Sequence, residues 1–170
     1  MNMIPRRLIV ATFVMLGLGL YALTMAAEEK KVGKAADNKI HAQTLIFQMM
    51  ADNPDLLIGG MHAVAPGASG QTMIASTLDR IGAEDDEGDI SVGVGGRTIL
   101  VPNLKNPPRF SMMIPLKDSS GKRIGALALA FKYRENEDET KIFLRGVAIR
   151  DQVAKKIPSL ADLFVPSRGN

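Results

Sequence analysis

Two apolar runs, Phe110–Leu116 (FSMMIPL) and Arg123–Tyr133 (RIGALALAFKY), flank the polar stretch Lys117–Lys122 (KDSSGK). Strand-length runs around a Ser-Gly turn form a β-hairpin, which commits this part of the chain to antiparallel pairing. In the second run Leu127, Leu129 and Phe131 alternate with Ala126, Ala128 and Ala130, so the two sets point to opposite sides. Neither side carries a charge before Lys132. A strand covered on both faces belongs in the middle of a sheet rather than at its edge. The alanine side leaves room for a closely packed helix or for a ligand.

The remaining segments fit around that strand. From Ile40, apolar residues at Ala42, Leu45, Ile46 and Met49 keep a helical spacing, and Asp52-Asn53-Pro54 stops it. Leu56–Val64 and Gln71–Thr77 read as strands joined by a Pro66–Gly70 turn. An acidic stretch, residues 84–89, opens a short helix over 86–94 that Gly95-Gly96 ends. Arg97–Val101 is a further strand, and 103–108 a loop. Ile142, Gly146, Ile149 and Val153 mark a last helix before Pro158, with one more turn over 161–164. The order helix, two strands, short helix, three strands, helix does not alternate as parallel βαβ units do. The expected class is α+β, with one antiparallel sheet of strands 56–64, 71–77, 97–101, 109–117 and 122–133.

At 170 residues the chain holds one domain of ordinary size, which excludes a (β/α)₈ barrel and a two-domain dehydrogenase. It has no Cys, no Trp and two His. Thiol chemistry, disulfides, Cys-ligated zinc and a three-His site are therefore excluded, and neither a metal nor another cofactor is expected. The chain begins with a basic segment (MNMIPRR), an uncharged run Leu8–Ala27 and then Glu28-Glu29-Lys30-Lys31. That order reads as a signal peptide over 1–27, or an uncleaved anchor, and both readings put the rest of the chain outside the cytoplasm. Residues 28–38 then form a linker and 39–165 a single domain. Of 21 basic residues Arg6 and Arg7 lie in the leader, leaving 19 against 18 acidic ones. So balanced a domain has little field for phosphate, and nucleic acid is not an expected partner.

The segment Thr72–Gly82 (TMIASTLDRIG), the acidic helix, Arg97–Val101 and the hairpin Phe110–Leu116 to Ile124-Gly125-Ala126-Leu127 together resemble extracellular, PAS-like Cache sensor domains over about residues 40–134. The resemblance implies a PAS-like five-stranded antiparallel sheet with an N-terminal helix, to which this chain adds a C-terminal helix. It also implies a small metabolite bound between the sheet and its covering loops, and occupancy passed to a membrane-bound signalling partner. Neither a second span nor an output module is expected from these residues, which also lack the Tyr- and Trp-bearing amino-acid motif of the family.

The candidate ligand contacts are Arg97 and Arg109, whose guanidinium groups suit a carboxylate, with Ile99, Met112 and His62 beside them. They are expected on the sheet face opposite the N-terminal helix, under the loops of residues 78–96 and 103–109. The bland alternatives are surface arginines, core methionines and a satisfied strand histidine. No catalytic residue is expected, since there is no G-x-S-x-G elbow. Residues 84–89 fail as an EF-hand, because Ala83 and Val94 fall where carboxylates should, and they read as a solvated helix start. Gly93–Arg97 is not a Walker loop. The leading reading is an exported, noncatalytic sensor-like domain. A small periplasmic enzyme of unrecognised chemistry and a structural accessory protein without a ligand remain open.

Overall fold

The computed structural model describes residues 40–167, all within one compact unit, and the leader 1–27 and linker 28–38 lie outside the described residues. The elements in order are α1 (His41–Asp52), β1 (Leu56–Val64), β2 (Gln71–Ser76), α2 (Glu87–Gly93), β3 (Ile99–Asn103), β4 (Arg109–Lys117), β5 (Arg123–Lys132) and α3 (Glu139–Ala154). A 3₁₀ turn at Leu160–Phe164 comes last. Every strand pairing is antiparallel, in the order β2-β1-β5-β4-β3. The fold is thus α+β with one antiparallel sheet, as the residue pattern implied, and the sheet is of the PAS-like kind that the resemblance implied. β5, apolar on both sides, lies at the centre. Among the described residues no helix is long and apolar enough to cross a membrane.

One face of the sheet carries both long helices. A methyl at Gly59 of β1 would meet Met49 of α1, and one at Gly146 of α3 would meet Met112 of β4 and Leu129 of β5. Leu45, Ile46, Phe110, Met112, Ile114, Leu127, Leu129, Phe131 and Ile149 fill the layer between. The predicted helix face of Ile142, Gly146, Ile149 and Val153 is the buried face of α3. Gln43 of α1 is itself buried, its Nε2 donating to Ser76 O and its Oε1 accepting from Ser76 N, both at 2.9 Å. That amide satisfies backbone groups at the end of β2, an edge strand that would otherwise leave them unpaired.

The hairpin turn is tied by Asp118, whose Oδ1 accepts from Ser120 N, Ser120 Oγ and Lys122 N. Gly121 takes a positive φ of 86° there, a conformation that costs glycine least. β3 begins two residues later than the sequence suggested. Arg97 N donates instead to Ser91 O, so Arg97 and Thr98 still belong to the exit from α2.

Gly125 fixes how closely β5 approaches β1, since a Cβ there would strike the His62 carbonyl oxygen. Gly125→Ala should therefore destabilise the domain by about 1–3 kcal/mol, the usual cost of overpacking, read as a lower urea midpoint. The Asp118 carboxyl is held below its ordinary range, first by the Ser120 hydroxyl and then by the two backbone donors. A depressed carboxyl adds stability above its unfolded value of 3.8, and that stability is lost as pH falls through its folded value. Asp118→Asn should flatten this acid limb of a stability–pH curve.

Candidate functional site

The second face of the sheet carries neither long helix. Strand alternation places Gly60 and His62 of β1, Ala126, Ala128, Ala130 and Lys132 of β5, and Arg109, Ser111 and Met113 of β4 on it. Ile99 and Val101 of the edge strand β3 continue it. Small residues floor its middle, where Gly60 lies opposite Ala128. α2 packs over one end of this face, against β4 and β5. The other end, at Arg109 and Lys132, stays more open: Arg109 and Ser111 are half-buried and Lys132 exposed.

Under the α2 end lies a polar cluster. His62 is 2% exposed, and its Nδ1 lies 2.7 Å from Asp85 Oδ1. The other oxygen of that carboxylate accepts from Gln71 Nε2 at 2.6 Å, and the same amide donates to Asp89 O at 3.1 Å. Hairpin pairing of Val64 with Gln71 brings Gln71 to the His62 side of the sheet. A Cβ on Gly93 would collide with the Gln71 amide, so α2 sits directly on this network. Asp86 caps α2 by accepting from Asp89 N at 2.9 Å. Residues 84–89 are therefore not simply a solvated helix start. The Asp85 side chain is 1% exposed, and Asp89 is half-buried and within 4.8 Å of His62 and Asp85. Burial raises the Asp89 carboxyl; His62 opposes this, the Asp86 and Asp85 charges add to it, and the Asp86 backbone donor opposes it. The Nε2 atom of His62 is buried and has no hydrogen-bond partner.

The structure scatters the expected contacts. His62 and Arg109 share the face, but pair with Ala126 and Lys132 or their neighbours, six residues apart along β5 and so about 20 Å at ~3.3 Å per residue. Arg97 is exposed and precedes Ile99, whereas Arg109 pairs with Asn103 at the far end of β3. The two guanidinium groups consequently do not converge. Ile99 is half-buried beside Gly88 of α2. Met112, expected next to Ile99, faces α3 instead; Met113 is the residue opposite Ile99, one step of strand register away. Gln71, Asp85, Asp89 and Lys132 were missed. Hairpin register would have found Gln71 and Lys132, but no local pattern places Asp85. Between α1 and α3, a cavity lined by Leu45, Met49, Ile149 and Val153 measures ≈10 Å³, room for about one water.

No family model matches this sequence, and no curated protein matches it. Among solved structures it is similar to a type II free methionine-R-sulfoxide reductase from Thermoplasma acidophilum, at 15% identity and a TM-score of 0.48, covering 72% of this chain and 92% of that one. A GAF domain from A. aeolicus in an inactive state has 10% identity and a TM-score of 0.48, covering 81% and 93%. A candidate GAF sensor protein from Burkholderia vietnamiensis has 13% identity and a TM-score of 0.45, covering 82% and 88%.

The raised Asp89 carboxyl has a measurable consequence. A carboxyl raised in the folded state adds stability below its unfolded value of 3.8, and this is lost as pH rises through the folded value. Asp89→Asn should match the wild type near the acid end of a denaturation series and exceed it at neutral pH.

Proposed function

We propose that this chain is an exported, noncatalytic sensor-like domain of the Cache kind, binding a carboxylate-bearing small molecule on the sheet face opposite the two long helices, at the end that α2 leaves open. The observation that carries this reading is the pair Arg109 and Lys132. They lie directly opposite each other on β4 and β5, and among the described residues neither makes an ion pair. Like charges directly opposed across strands are destabilising, and a bound anion would relieve that repulsion. Ser111, in the next pair on this face, adds a hydroxyl, and Ala130 and Val101 add apolar surface beside it.

Export rests on the basic and apolar order of residues 1–27. A membrane-bound partner would then read occupancy at this face. The His62–Asp85 pair does not argue for an enzyme, because Nε2 meets no hydroxyl that it could activate. A thermal-shift panel of mono- and dicarboxylates tests the proposal. A ligand at one hundred times its dissociation constant adds about 2.7 kcal/mol. Arg109→Ala should weaken binding about tenfold, the loss of one charge-assisted hydrogen bond, while the unliganded unfolding midpoint stays level or rises slightly as the repulsion with Lys132 is removed. A panel without any shift, or a shift indifferent to Arg109→Ala, overturns the reading.

A further inference from the structure

The cluster under α2 has more charge than its hydrogen bonds account for. Asp85 and Asp89 bring two carboxylates to within 4.8 Å of each other and of the His62 ring. Among the described residues, no lysine or arginine forms an ion pair with either. A buried carboxylate without a cation is costly, and Asp85 is almost wholly buried. The Nδ1 edge of the ring faces the cluster, 2.7 Å from Asp85 Oδ1, and among the described residues no side-chain cation stands between the two carboxylates.

We propose that His62, Asp85 and Asp89 hold one divalent transition-metal ion. A neutral imidazole offers one nitrogen to an ion while its proton stays on the other. One nitrogen and carboxylate oxygens form a donor set for zinc or its neighbours rather than for magnesium or calcium, which prefer oxygen alone. Bonds of about 2.0–2.2 Å require the His62–Asp85 contact of 2.7 Å to open around the ion and the more distant Asp89 to move in. Asp89, half-buried on the first turn of the short helix α2, is the side chain with room to move. Gln71 steadies the outer oxygen of Asp85, as groups behind metal ligands do. The ion would join β1, the 77–86 connection and α2, pinning that helix to the sheet. This site is independent of the carboxylate reading and lies at the opposite end of the face.

The test is zinc titration of the chelator-stripped full-length protein, by calorimetry and thermal shift. One zinc per chain is expected, with a dissociation constant of about 1 μM or tighter. Asp89→Asn, checked for native circular dichroism, should weaken binding at least tenfold, and His62→Asn likewise. Arg109→Ala should leave it unchanged, which separates this proposal from the carboxylate site. Magnesium and calcium should give no shift at the same concentration. The proposal is overturned if zinc fails to bind, or if it binds the wild type and Asp89→Asn equally, since the ion would then sit elsewhere.

Discussion

The Asp85 carboxylate is the joint on which the second face of this sheet depends. One oxygen meets His62 of the inner strand β1 and the other meets Gln71 of the edge strand β2, within a side chain that is nearly inaccessible to water. The Gln71 amide also reaches the backbone of α2. A single buried charge thus links two strands, the connection after β2 and the short helix that roofs the sheet. A seven-residue helix has little stability of its own. Its position is set by this network, by Val92 buried beneath it and by Arg123, whose guanidinium donates to Val94 O.

The two faces are built on different physics. Beneath α1 and α3 the core is aliphatic and aromatic, and its stability comes from buried apolar area. On the other face, glycine and alanine floor the sheet, and the contacts under α2 combine a polar and charged network with the buried Val92 and the half-buried Ile99. The first arrangement makes a rigid support, and the second can exchange partners. A sheet anchored on one side and chemically open on the other can bind a ligand without rebuilding its core.

Much of the architecture was legible because period-2 alternation and turn chemistry are local. The Leu127–Leu129–Phe131 and Ala126–Ala128–Ala130 sets gave β5 its central place, and Asp118–Lys122 gave the hairpin. The start of β3 was misplaced because Arg97 still bonds back to the helix exit, a contact invisible to strand propensity. The site was legible only in fragments. His62 and Arg109 were on the right strands, yet register places them at opposite ends of the face, and Met112 went to the helix side by a single residue. Asp85 looked like one acid among several in a solvated run. Its partners lie 14 and 23 residues away, so only tertiary structure could reveal its burial.

The central claim is that the sheet face opposite the long helices, and not the α1–α3 pair, is the proposed ligand face. Amide NMR of the domain during titration with the carboxylate giving the largest thermal shift tests it directly. The account predicts shift changes concentrated at Arg109, Ser111, Ala130 and Lys132, with α1 and α3 unaffected. Changes centred on the α1–α3 groove around Leu45, Met49 and Val153, with β4 and β5 silent, would contradict it.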